Sequence, residues 1–133
     1  MTRKQIRAAF DKIIKTYATA KPISVAWENV SLTPTQDAYI SVFLIAGEDS
    51  HESICYGSES QMGLYQVTIH SPLNGGSLVT ETIVEELKAL FPAGTRIGTG
   101  ADTVRITRPI GVTRGNFNKD RYELMCSIYY DSI

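Results

Sequence analysis

The residues of this chain that could do chemistry are few and scattered. The histidines, His51 and His70, lie far apart in sequence, and neither has a second ligand at the i, i+4 spacing of a helical metal site. His51 is followed by Glu52, and one such pair defines no site. Residues 57–60 (GSES) lack the second glycine and the strand-to-helix setting of a hydrolase nucleophile. The sequence therefore predicts no catalytic residue and no metal site.

The glycine and cysteine patterns do not indicate a cofactor either. Gly98-Thr99-Gly100 falls in a predicted hairpin turn, whereas a phosphate-binding loop connects a strand to a helix. Cys55 and Cys126 lie in or near apolar runs without C-x-x-C spacing, which is typical of free thiols in a reducing compartment. We expect a protein that is not an enzyme and that uses no cofactor.

Charge is the pattern that points most clearly to a function. The chain has 133 residues and a formal net charge of −1, which gives no overall attraction to nucleic acid or anionic lipid. The charge is nevertheless segregated. Residues 47–61 carry four acidic residues and no Lys or Arg, whereas residues 96–121 carry six basic and two acidic residues, a net charge of +4.

Such segregation suits a head-to-tail contact between identical subunits. That contact needs two different, complementary surfaces on every subunit, and opposite charges can set its register. A solvated surface with no partner is the alternative explanation. The candidate interface residues are Glu48, Asp49, Glu52, Glu59, Arg105, Arg108, Arg114 and Lys119.

A small nucleic-acid-binding module is a further interpretation of the basic segment. A single-strand platform interleaves basic residues with exposed aromatic rings. Only Phe117 and Tyr122 could supply those rings here, so this pattern is weakly developed.

Apolar side chains at helical spacing predict two helices. The first covers residues 2–20 and ends before Pro22; the second begins after Ser77, a good N-cap, and stops at Pro92 and Gly94. The predicted buried stripes are Ile6, Phe10, Ile13, Ile14 and Tyr17 in the first helix, and Val79, Ile83, Leu87 and Leu90 in the second.

Six strands are predicted around these helices, in residues 23–30, 38–46, 62–70, 95–98, 103–109 and 121–130. Residues 38–46 are apolar on both faces, so we expect a central strand with a helix on one side and another element, such as a second subunit, on the other. Residues 47–61 are predicted to be a long polar loop, and residues 110–120 a second exposed stretch. No segment is long and apolar enough to cross a membrane.

The order α-β-β-β-α-β-β-β predicts one α+β domain over residues 1–133. Because short turns join most of the strands, we expect a mixed or mostly antiparallel sheet with both helices packed on one face.

Short motifs in a fixed order extend along nearly the whole chain. They follow a first helix that ends near Lys21-Pro22, and they are residues 25–30 (VAWENV), 33–34 (TP), 39–45 (YISVFLI), 63–67 (GLYQV), 71–72 (SP), 90–96 (LFPAGTR) and 104–106 (VRI) with Pro109. In order and spacing they resemble the phage tail terminator-like family of small proteins from phages and prophages with long, flexible tails.

The resemblance implies a mixed or antiparallel sheet with two helices packed on it, and a structural role without catalysis. It implies a ring of subunits, a hexamer, that forms on the last ring of the major tail-tube protein. That ring ends tube polymerisation and presents a surface to the head–tail connector protein, and DNA only passes through its channel. The implied location is the head-proximal end of the tail in the virion, after assembly in the host cytoplasm. Another neck component, such as a connector or minor tail protein, is the alternative within the same resemblance.

Overall fold

Two helices and eight strands are found in the residues that the computed structural model describes, which are 3–28, 38–51, 59–72, 78–99, 102–113, 116–118 and 121–131. The helices are α1 (Arg3–Ala20) and α2 (Leu78–Leu90). The strands are β1 (Ser24–Ala26), β2 (Tyr39–His51), β3 (Glu59–Pro72), β4 (Arg96–Thr99), β5 (Asp102–Ile106), β6 (Gly111–Val112), β7 (Asn116–Asn118) and β8 (Arg121–Asp131).

The strands form one mixed sheet in the order β1-β2-β3-β8-β5-β4, and the short strands β6 and β7 also pair with β8. β1 lies parallel to β2, and the other described pairings are antiparallel. The predicted α+β class and the mixed, mostly antiparallel sheet are therefore confirmed. Two short strands lie within residues 110–120, which were expected to be an exposed stretch.

Both helices contribute to a single hydrophobic core on one face of the sheet. Side chains alternate along the strands, so that Tyr65, Val67 and Ile69 of β3 are fully buried in this core. Phe10 of α1 lies at its centre, stacked on Tyr65 with ring centroids 4.6 Å apart. The Phe10 ring also contacts Phe91 and Tyr130, at centroid distances of 5.8 and 5.4 Å. This aromatic cluster joins α1, the end of α2 and the two central strands β3 and β8.

The predicted stripe of α1 is confirmed, because Ile6, Phe10 and Ile14 are buried and the other two members pack partly buried against the core. The predicted buried stripe of α2 was wrong at its first position. Val79 is 49% exposed, and the buried positions are Thr80, Ile83, Val84 and Leu87. These four positions follow the i, i+3, i+4, i+7 spacing, and burial of Phe91 just after the helix continues the same face.

The predicted loop over residues 47–61 was wrong at both of its ends, because β2 continues to His51 and β3 begins at Glu59. Asp49 pairs with Gln61 and His51 with Glu59, after a register shift that follows Ala46. Pairing between β3 and β8 begins only at Met62. Residues 47–51 and 59–61 therefore form a two-stranded extension beyond the sheet, here called the acidic arm. Both segments of the arm are polar in sequence, so apolar alternation gives no signal of a strand there.

Candidate subunit interfaces

The acidic arm contains three of the four acidic candidate residues. Glu48 and Asp49 lie in β2 and Glu59 lies in β3, whereas Glu52 falls outside the described residues. The cross-strand ladder thus brings both ends of the acidic segment together at one end of the sheet. A two-stranded ribbon by itself is only marginally stable in water, so this arm is suited to contact with a partner.

The basic candidates Arg105 and Arg108 are both held by their own chain. Arg105 of β5 is paired with Asp131 of β8, and its Nη2 lies 2.8 Å from the buried carboxylate Oδ2. The guanidinium of Arg108 lies over the ring of Tyr129, 3.9 Å from its centroid. Arg114 and Lys119 fall outside the described residues. The structure therefore places Arg105 and Arg108 against the end of β8, where each already has a contact within the fold.

The sheet face that points away from the helices carries exposed apolar side chains. Phe43 and Ile45 of β2 are 48% and 49% exposed, Met62 of β3 is 55% exposed and Met125 of β8 is 40% exposed. Large apolar groups clustered on one face are characteristic of protein contact surfaces, in which aromatic residues and Met are enriched. We call this surface the open face. Its side chains Phe43 and Ile45 explain why the sequence of β2 is apolar on both faces.

A polar network crosses the open face where β2, β3 and β8 are adjacent. The Ser41 Oγ lies 2.9 Å from His70 Nε2, and His70 Nδ1 lies 3.0 Å from a carboxylate oxygen of Glu123. Tyr39 stacks on the His70 ring with centroids 4.4 Å apart. Sequence reasoning missed this network, because only the strand register brings together residues that are distant along the chain.

The order Ser–His–carboxylate matches the connectivity of a hydrolase triad, but the surroundings do not match one. A triad acts together with backbone N–H groups aimed at the developing oxyanion. Here Ser41, His70 and Glu123 lie within ladders that pair the strand backbones with one another. The arrangement does match a cross-strand network that fixes the register of three strands.

A groove of about 810 Å³ lies between α1, the end of α2 and β4. Ala9, Ile13 and Leu90 supply much of its apolar floor. Among the described residues that line it, Lys12 and Arg96 are the two cations and none is Asp or Glu. We call it the basic groove. Sequence reasoning missed it because three separate elements supply its walls, although Arg96 was counted in the basic segment.

The described part of the chain offers little for metal or thiol chemistry. It contains no group of three or more His, Cys, Asp or Glu side chains that could hold a metal ion. Cys126 is fully buried, and desolvation raises the pKa of its thiol to about 11, which suppresses the reactive thiolate. Cys55 lies outside the described residues. Neither described helix is long and apolar enough to span a membrane.

Comparison with known proteins gives a family and a solved structure of the same fold. Residues 5–130 match the sequence model of the family described as "Phage tail terminator protein". None of the curated proteins matches the chain. A solved structure with 27% sequence identity superposes with a TM-score of 0.84, covering 100% of this chain and 96% of the other. This likeness supports the fold described above.

Proposed function

Because this chain belongs to the phage tail terminator protein family, and is therefore a structural protein of the phage tail, we propose that it caps the head-proximal end of the tail tube. In this proposal six subunits form a ring on the last ring of the major tail-tube protein. The ring ends tube polymerisation and offers a surface to the head–tail connector, and DNA passes through its centre. The observation that carries the proposal is the family match over residues 5–130.

Capping needs a subunit that binds the tube end and offers no equivalent site for the next tube subunit. A ring of head-to-tail contacts meets part of this requirement, because closure leaves no free end of the contact between identical subunits. The acidic arm is negatively charged, whereas the segment of residues 96–121 is positively charged. It can therefore supply one of the two different surfaces that a head-to-tail contact requires. We assign the open face to the tube, because contact there would remove the exposed apolar side chains Phe43, Ile45 and Met62 from water.

Fewer of the basic candidates are available for an interface in this proposal, because Arg105 is already paired with Asp131. Arg114 and Lys119 stay predicted contacts to a neighbouring protein or to DNA in the channel. Arg108 keeps an exposed position while it stacks on Tyr129, so it could contact a partner without leaving its ring. The combined reversal Arg108→Glu with Arg114→Glu should impair ring or tail joining while leaving the fold intact. Lys15→Glu, an exposed reversal on α1, is the matched control.

The experiment that tests the proposal is deletion of the gene in the phage or prophage that encodes it, followed by electron microscopy of the tails. We expect tubes of uncontrolled length that lack heads, and normal tails when the wild-type gene is supplied again. Tails of normal length that merely fail to join heads would instead assign the protein to another part of the neck. Uniform, head-bearing tails after deletion would contradict the proposal.

A further inference from the structure

We propose that the acidic arm of one subunit docks in the basic groove of the next subunit around the ring. The occupant of the groove is thus a second copy of this chain. The inference rests on the ring of the proposed function and identifies the two surfaces that would build it.

The arm is the half of the contact that carries negative charge. It extends past Met62, where pairing with β8 begins, so its two strands pair with each other alone in the described structure. The whole segment of residues 47–61 holds four acidic residues and neither Lys nor Arg. An acidic ribbon that leaves the sheet in this way can enter a concave surface on a neighbouring subunit.

The groove is the half that carries positive charge. Its cationic lining residues, Lys12 and Arg96, form no ion pair with any described residue, and both side chains are exposed. Helix α1, which supplies one wall, carries five basic residues and one acidic residue along its length, a net charge of +4, and of the basic ones Lys12 lines the groove. The one acidic residue, Asp11, accepts a hydrogen bond from the Tyr65 hydroxyl. An apolar floor beneath uncompensated cations therefore fits an acidic protein segment.

Carboxylates elsewhere near α1 already have partners. Glu28 pairs with Arg7, and Glu86 pairs with the Lys21 ammonium at 2.7 Å. Of the basic segment, Arg105 is likewise paired within the chain, which leaves Arg96 as a described cation of that segment without a carboxylate partner. Charge complementarity thus directs the arm toward the basic groove rather than toward the strand that carries Arg105.

Arm and groove belong to different elements, the β2–β3 ribbon and the cleft between α1 and β4. A contact between two unlike surfaces of identical subunits is heterologous, and it closes into a ring when the rotation between subunits allows. The proposed contact therefore has the symmetry that a terminator ring needs.

A charge-exchange experiment tests the pairing. The arm-reversed variant carries Glu48→Lys, Asp49→Lys and Glu59→Lys, which changes the charge of residues 47–61 from −4 to +2. The groove-reversed variant carries Lys12→Glu and Arg96→Glu. Each is supplied alone, and then both together, to the phage that lacks the gene. Alone, each variant should give at least about tenfold fewer infectious particles, because like charges then face each other at every contact. Together they should restore capped tails, since a ring of alternating variants has opposite charges at every contact.

Circular dichroism melting of both purified variants should match the wild type, because Lys12 and Arg96 are exposed and the arm lies beyond the residues at which β3 pairs with β8. Lys15→Glu is the matched control on α1, and it should assemble normally. Two inactive variants that fold normally but do not rescue each other would overturn the arm-and-groove contact, as would full activity of either one alone. In those cases defective tails in the deletion strain would still support the proposed function, so the two failures are distinguishable.

Discussion

Replacement of Arg105 by alanine should destabilise the fold, and the size of the effect follows from two opposing features of its ion pair. The Arg105 side chain is 45% exposed, and an ion pair open to water typically contributes only about 0–1 kcal/mol. Its partner Asp131 is only 7% exposed at the side chain, and its Oδ1 has no hydrogen-bond partner among the described residues. Removal of one partner of a fully buried pair costs about 3–5 kcal/mol. Because water would reach the vacated position, we expect an intermediate loss of about 2 kcal/mol.

Urea unfolding of four proteins measures this value: the wild type, Arg105→Ala, Asp131→Asn and the double variant. The double-mutant cycle should give a coupling free energy of about 1–2 kcal/mol, as for other contacting charged residues. Arg108→Ala is the matched control. It should cost only about 0.5–1 kcal/mol, the usual range for an exposed cation–π contact. A loss below about 0.5 kcal/mol for Arg105→Ala, with additive effects in the cycle, would refute the reasoning and leave Arg105 free for an interface role.

Substitutions at three further positions probe the core, a half-buried carboxyl and a turn. Phe10→Ala should lower the free energy of unfolding in urea by about 4 kcal/mol, because it empties the centre of the aromatic cluster. Phe10→Leu should lower it by about 1 kcal/mol, because the leucine fills most of the same space. Equal losses for the two variants would contradict this account of the packing. Burial raises the pKa of Asp11 above its ordinary value, and the hydrogen bond from Tyr65 opposes this only in part. The folded state therefore binds the carboxyl proton of Asp11 more tightly than the unfolded state does. As the pH rises from about 4, the wild type should lose stability relative to Asp11→Asn. A difference in unfolding free energy that stays constant with pH would contradict the raised pKa of Asp11. Gly94 has φ of +86°, and Gly94→Ala should lower the free energy of unfolding by about 1 kcal/mol through backbone strain alone, since no atom lies within 4 Å of the added Cβ. An unchanged melting temperature would contradict that strain.

Periodicity was informative wherever an element covers the core. The spacing in α1 follows from burial on one face, and the structure confirms that stripe. Buried side chains alternate along β3 for the same reason. The buried face of α2 was less well predicted at its start. Val79 and Thr80 are adjacent and both are compatible with a helix, so the direction of the face depends on tertiary packing that local sequence does not contain.

Features assembled across elements could not be predicted in this way. The ion pair between Arg105 and Asp131 depends on the register between β5 and β8, and the basic groove depends on how α1 lies against β4. The acidic arm was missed for a different reason. Its segments are polar and have no apolar alternation, and polar composition is equally typical of a loop. The charge segregation that suggested an interface was nonetheless visible in the sequence itself.

Tube growth in a purified system tests the central claim most directly. The major tail-tube protein of the same phage is polymerised with increasing amounts of this protein, and tube lengths are measured by electron microscopy. We predict that tubes become shorter as the proportion of this protein rises, with one end of each tube occupied by it. A length distribution that stays the same at every ratio, with no protein at the tube ends, would contradict the claim that it terminates the tail.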